Sequence, residues 1–232
     1  MISDLADFIV AKAVAPYGDE SYVADTTAAL ASAGHRVLQI FQMGATERAH
    51  VGALLDMFDP PEGALVLDAG CGIGAVADLM SDMRPDLRFV LLNVSLAQLE
   101  MCRGTHARVA ADFHRLPVAD GSVDAVLFTY SLGHGLLDVV LTEAVRVLKP
   151  GGMLFIYDLA SENSATLIRT LGYKAHAPGR VMKICANLGL RRDFAIRPDA
   201  NVDGFMRIMD RTTFGKIFAG IVPAAYRFER AA

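Results

Sequence analysis

From Ala64 onward the sequence alternates between two kinds of segment, and few folds accept that alternation. "ALVLDAG" is a short apolar run, and "AVADLMSDM" after it carries helical spacing. "RFVLLNV" is followed by "SLAQLEMCR" in the same way. "ARVAAD" and "VDAVLFTY" come next, the latter continuously apolar, as a strand covered on both faces must be. Between Leu136 and Leu148 one helical side carries Leu137, Val140, Leu141, Ala144 and Leu148. Lys149-Pro150-Gly151-Gly152 should end that helix and turn the chain into a fifth strand, "MLFIYDL". Val181, Ile184, Cys185 and Leu188 form another helical stripe, stopped by Gly189. "RDFAIRP" and "AAYRFER" bring the strands to seven. The pattern predicts an α/β fold, a doubly wound and mostly parallel seven-stranded sheet whose last two strands form an antiparallel edge.

Ahead of this lies helical patterning. Leu5, Phe8, Ile9 and Ala13 share one face, a second helix is expected over Tyr22 to Ala33, and a third over Thr46 to Phe58 before Pro60-Pro61. No linker separates folding units, so the reading is one domain, with residues 1–60 as a helical cap and 61–232 as the α/β core. Apolar residues are 53% of the chain, enough to cover both sheet faces. The net charge of −4 argues against nucleic acid as a partner, although from Lys174 onward there are 11 Lys and Arg against 5 Asp and Glu. No apolar run approaches the ~20 residues that span a bilayer, and Asp4 and Asp7 sit where a signal peptide carries Lys or Arg. Cys71, Cys102 and Cys185 show neither a disulfide framework nor metal-ligand spacing, which suits a reducing, cytoplasmic setting. His35, His50, His106, His114 and His176 share no spacing that suggests a metal, and surface positions are expected for most of them.

The first strand-to-helix turn is the richest segment. In "LVLDAGCGIGA", Asp68 precedes Gly70, Gly72 and Gly74. Glycines there let backbone approach a ligand closely. The run fits the relaxed dinucleotide pattern, so a nicotinamide-dependent oxidoreductase is one reading. Asp68 speaks against it, because a carboxylate at the strand end repels a pyrophosphate and attracts an ammonium or sulfonium group. A dinucleotide site also offers an acid about 20 residues on, for the ribose; here the second strand ends in Asn93.

"VLDAGCGIGA", "ADFHRLPVADGSVDAVLFTYSLGH" and "EAVRVLKPGGMLFIYDL", in that order, resemble the class I S-adenosylmethionine-dependent methyltransferases, in their small-molecule, type 11-like form. The resemblance implies a Rossmann-like sheet and S-adenosyl-L-methionine as cofactor. It implies Asp68, Gly70, Cys71 and Gly72 around the methionine portion, Asn93 at the ribose, Asp112 and Phe113 at the adenine, and Val94 among the cofactor contacts. Asn93 replaces the family's usual acid. Ser95 reads first as a helix cap; for Gln98, capping box and cofactor contact stand equal. Tyr130 and His134 follow the fourth strand, where the methyl acceptor is presented. Some related enzymes carry Glu at the position of Tyr130, so His134 is the candidate base, or else merely packs at the start of the next helix.

The implied reaction is methyl transfer by in-line displacement, which rests on alignment and needs a base only if the acceptor loses a proton. A small-molecule acceptor is expected, walled by the N-terminal helices and residues 162–186, with Gln42-Met43-Gly44 closing over the cofactor. Phe205, Met206 and Met209 read as pocket or, more simply, core. Arg180, Lys183, Arg191, Arg192, Arg197, Arg207 and Arg211 would suit an anionic acceptor, or are solvated charge. A non-catalytic module that binds the cofactor or a partner is the remaining alternative.

Overall fold

The computed structural model describes residues 42–196 and 218–231, together with Thr27, Ala28, Ala31 and Leu38. The first expected N-terminal helix, all of the second but Thr27, Ala28 and Ala31, which are helical, and Phe205, Met206, Met209, Arg197, Arg207, Arg211 and His35 lie outside that description.

Seven strands form one sheet: β1 (Leu65–Ala69), β2 (Arg88–Asn93), β3 (Ala107–Ala110), β4 (Val123–Thr129), β5 (Leu148–Ala160), β6 (Leu190–Ile196) and β7 (Val222–Arg230). Their spatial order is β3-β2-β1-β4-β5-β7-β6. The first five are mutually parallel, and β7 runs antiparallel to both β5 and β6, which is the expected antiparallel edge.

Two-residue periodicity divides the strands between two cores. Val66, Leu91, Leu127, Phe155 and Tyr157 face α1 (Glu47–Phe58), α2 (Ala75–Met83) and α3 (Leu96–Met101). Leu67, Leu92, Val126, Phe128, Leu154 and Ile156 face α4 (Leu137–Val147) and α6 (Pro178–Asn187). A short helix, α5 (Ala165–Leu171), lies between β5 and α6 in the chain. Thr46 caps α1 by accepting from the Ala49 backbone N–H at 3.1 Å, and Asp59 ends the helix in the left-handed region at φ 46°. Within the span read as a helical cap, this helix therefore packs on the sheet itself. Phe58 is fully buried and stacks on Phe155 at 5.3 Å between ring centres.

One turn differs from expectation. Helix α4 stops at Val147, and Lys149-Pro150-Gly151-Gly152 belongs to β5 rather than to a loop before it. Leu148 already pairs with Val123, and the register then slips before Met153 pairs with Ala125. The extra residues bulge at the sheet's exposed end, where Pro150 costs no ladder bond.

Replacing Phe58 with Ala removes the main anchor of α1 on the sheet and should cost about 3–5 kcal/mol, read as a lowered urea midpoint.

Candidate active site

Strands β1 and β4 are neighbours, but the helices that follow them cover opposite faces, so their carboxyl ends part. Ligands in such sheets settle in that crevice. A cavity of about 450 Å³ opens there, lined by the glycine loop, the ends of β2 and β4, and the segment after β3.

The loop is held from both sides. The N–H groups of Gly70 and Cys71 donate to Leu92 O at 2.8 and 3.0 Å. Ser131 Oγ, just past β4, donates to Ala69 O at 2.7 Å. Gly70 sits at φ +83°, and a Cβ there would lie 2.5 Å from Ser131 Cβ, so only glycine lets the two loops meet. Gly72 also has positive φ, but its Cβ position is open, leaving bare backbone toward the cavity.

Asn93 ties β2 to this loop. Its Nδ2 donates to Gly72 O at 3.3 Å and to Gln98 Oε1 at 2.9 Å, and its Oδ1 accepts from Ser95 N–H at 3.1 Å. Ser95 Oγ accepts from Gln98 N–H at 3.3 Å, which is the expected cap. The reciprocal half of a capping box is absent, because Asn93 takes the Ser95 N–H. Gln98 instead bonds Asn93 and donates to Thr27 Oγ1 at 3.3 Å, and it lines the cavity with Val94, whose side chain is exposed.

Asp112, Phe113 and His114 form the wall beyond β3. Asp112 Oδ1 accepts from the His114 backbone N–H at 2.9 Å and meets His114 Nδ1 at 2.6 Å. His114 Nε2 accepts the Leu136 N–H at 2.8 Å, which assigns the ring proton to Nδ1. Burial pushes the Asp112 carboxyl up, but the two bonds from His114 outweigh it and hold it below the ordinary range. Phe113 packs edge-on against Phe128.

Asp68 is not on the cavity wall. It is buried at the end of β1, behind the loop, and neither carboxylate oxygen has a hydrogen-bond partner. Burial raises its pKa to about 7. A buried carboxylate left so is costly, and such sites concentrate where charge is used.

Tyr130 and His134 both line the cavity. Tyr130 holds a left-handed backbone at φ 52°, is strained for a non-glycine residue, and meets Tyr157 edge-on at 5.2 Å. Burial raises its phenol well above the usual value. His134 ends a 3-10 turn, Leu132–His134, and packs edge-on against Tyr173 at 4.7 Å. Burial lowers its pKa to about 4, so the ring is neutral at pH 7. Behind it, Tyr173 donates its hydroxyl to Asp158, whose other oxygen accepts the Leu132 N–H at 2.9 Å. Burial raises the Asp158 carboxyl to about 6 against the pull of those bonds.

Ser131, His114, Asp158 and Tyr173 were not anticipated. Only two left a trace in the sequence: an acid inside the apolar run "LFIYDLA", and a histidine two residues past Asp112. Several expectations need correction. Met43 is buried, its N–H donating to His50 Nδ1 at 3.1 Å, and Gln42-Met43-Gly44 does not line the cavity; nor, among the described residues, does any of 162–186. The described histidines are not at the surface: His50 and His176 are buried, and His106 and His114 half-buried. Among the described residues no three His, Cys, Asp or Glu form a metal-binding group, and no helix is long and apolar enough to cross a membrane.

Burial of Asp68 links stability to pH. Its folded pKa is raised, so between about pH 4 and pH 7 the folded state binds more protons than the unfolded, and stability falls as pH rises. Asp68→Asn should flatten that fall and raise the melting temperature at pH 8, as followed by thermal scans across pH.

A family model described as "Methyltransferase domain" matches residues 67–156. The chain is 31% identical over 135 residues to a malonyl-[acyl-carrier protein] O-methyltransferase of Dechloromonas aromatica, covering 54% of this chain and 51% of that one. It spans about half the length of several curated relatives it matches. Among solved structures, geranyl diphosphate C-methyltransferase from Streptomyces coelicolor A3(2) superposes with TM-score 0.70 at 16% identity, over 94% of this chain and 87% of that one. The [4+2]-cyclase SpnF has the same fold, with TM-score 0.66 at 16% identity, over 80% and 81% of the two chains.

Proposed function

We propose that the chain is a class I S-adenosylmethionine-dependent methyltransferase, as the matched methyltransferase domain and its relatives suggest, and that it binds S-adenosylmethionine where β1 and β4 part and transfers the methyl group to a small molecule. The observation that carries this reading is the charge of the site. Among the described residues the cavity wall holds no Lys or Arg, while Asp112 stands in it and Asp68 lies behind it. A pyrophosphate would find repulsion there and a sulfonium attraction, which sets the nicotinamide reading aside.

Each residue then has a task. Gly70, Cys71 and Gly72 offer close backbone to the methionine portion. Asp112, held by His114, accepts from the adenine amino group, with Phe113 and Val94 against the ring. Asn93 serves the ribose hydroxyls, but its polar atoms already hold Gly72, Ser95 and Gln98. It therefore binds the diol more weakly than a free carboxylate would. The cofactor supplies an electrophilic methyl whose thioether leaving group needs no acid. The protein's part is alignment of the acceptor beside Tyr130 and His134. Neutral His134 accepts a hydrogen bond from an acceptor hydroxyl or amine and takes its proton where the chemistry releases one.

The described part of the basic cluster does not favour an anionic acceptor. Arg180 pairs with Asp138 and Arg191 with Glu229, and none of the cluster's described members lines the cavity. Three free thiols suit a reducing, cytoplasmic setting. A second reading, cofactor binding without methyl transfer, is kept by the Tyr130 position, where a carboxylate base is absent, and by a [4+2]-cyclase having the same fold.

Calorimetry at pH 7.5 should show S-adenosylmethionine and S-adenosylhomocysteine binding and NAD failing to bind; NAD alone would sink the proposal. Asp68→Asn should weaken S-adenosylmethionine tenfold or more. It should also abolish the tightening expected between pH 6 and 7.5 as Asp68 ionises. On a panel of metabolites, tRNA, DNA and proteins, transfer is expected to a metabolite; transfer only to a macromolecule would refute the acceptor class.

A further inference from the structure

The cofactor loop carries a second piece of chemistry that methyl transfer does not use. Cys71 lies inside the glycine run and lines the cavity. Cys102, 31 residues later, caps the C-terminal end of α3. Both thiols converge on one carbonyl: Cys71 Sγ lies 3.5 Å and Cys102 Sγ 3.7 Å from Gly72 O, and Cys102 Sγ also lies 3.5 Å from Gln98 O. We propose that Cys71 and Cys102 are an oxidation site, a dithiol that a peroxide converts to a disulfide, closing the glycine loop to the cofactor.

The two sulfurs differ in character. Contact with Cys71 lowers the Cys102 thiol despite burial, with the Arg108 guanidinium adding to the effect; Arg108 also donates to Cys102 O at 2.7 Å. Contact with Cys102, then burial, raise Cys71. Cys71 is the sulfur on the cavity wall and Cys102 is buried beside it, so a peroxide reaches the pair through the cavity. One sulfur, as thiolate, attacks a peroxide oxygen, the O–O bond breaks, and hydroxide leaves, giving a sulfenic acid. The other sulfur then displaces the hydroxyl of that acid, its proton leaving with it as water. Two thiols and one hydrogen peroxide become one disulfide and two waters.

Closure draws the sulfurs to about 2.05 Å and removes the thiol donors that now reach Gly72 O and Gln98 O. Gly72 is the residue whose bare backbone faces the cavity, so its displacement falls on the cofactor's seat. Cys185 is the internal control: it is fully buried in the opposite core, where burial pushes its thiol up to about 12.

The effect on affinity rests on the proposed cofactor; the cross-link does not, and the test separates the two. The full chain is treated with a few equivalents of hydrogen peroxide, the remaining thiols are alkylated, and peptides are mapped by mass. The expected result is a linked pair containing Cys71 and Cys102, lighter by two hydrogens, with Cys185 alkylated. S-adenosylmethionine should then bind at least tenfold more weakly, recover after dithiothreitol, and slow the oxidation when present beforehand. Cys102→Ser should bind the cofactor as the reduced protein does and keep that affinity through peroxide. No linked peptide, a link to Cys185, or a link between chains overturns the site. A linked peptide with unchanged cofactor affinity overturns the closure. If reduced protein binds no S-adenosylmethionine yet the linked peptide forms, the functional reading fails and the oxidation site stands.

Discussion

Gly70 and Ser131 touch where β1 and β4 end, and the site is built outward from that contact. There is no room for a Cβ at Gly70, and the Ser131 hydroxyl closes on the carbonyl just before it. With this seam pinned, the loop after β1 turns toward α2 and the turn after β4 toward α4. What opens between them is a crevice of fixed width. The second support comes from β2, where Leu92 and Asn93 hold the loop by its backbone. The proposed cofactor seat is thus held through main-chain contacts, while the proposed acceptor wall, at Tyr130 and His134, is made of side chains.

Electrostatics in this seat work against stability. Asp68 and Asp158 are both buried carboxyls held above their ordinary range, one without a partner and one clamped by Tyr173 and Leu132. The second is structural: it secures the turn that presents His134. The first has no such partner, and a cationic ligand is the natural complement to it. The two acids sit at the ends of β1 and β5, and in the proposed reaction they serve different halves, one the cofactor and one the turn facing the acceptor.

Much of this could be read from the chain. Strand and helix positions were legible because apolar period and turn residues are local signals, and "AVADLMSDM" is α2 residue for residue. The resemblance in sequence brought Gly70, Gly72, Asp112, Phe113, Tyr130 and His134 into view, and the structure sets them along one cavity because each follows a strand that ends at the same sheet edge. The Asp158–Tyr173 clamp was not, since it depends on a residue behind the turn and not beside it. The bond from His114 to the α4 terminus was hidden for the same reason, as was Cys102 meeting Cys71. The glycines at 151 and 152 misled: they look like a loop, and only the slipped pairing with β4 shows them to be strand.

Arg227 on β7 donates to the carbonyls of Met57 and Phe58, at the end of the first helix described, across 170 positions of chain. β7 also supplies the antiparallel partner of β5, whose Phe155 stacks under Phe58. During synthesis that helix and the middle of the sheet are made long before β7 emerges. Until it does, β5 has an open edge and an apolar face at the centre of the molecule. The nascent chain therefore carries an open β5 edge from the time Ala160 is made until Val222 and the strand it begins can pair with it.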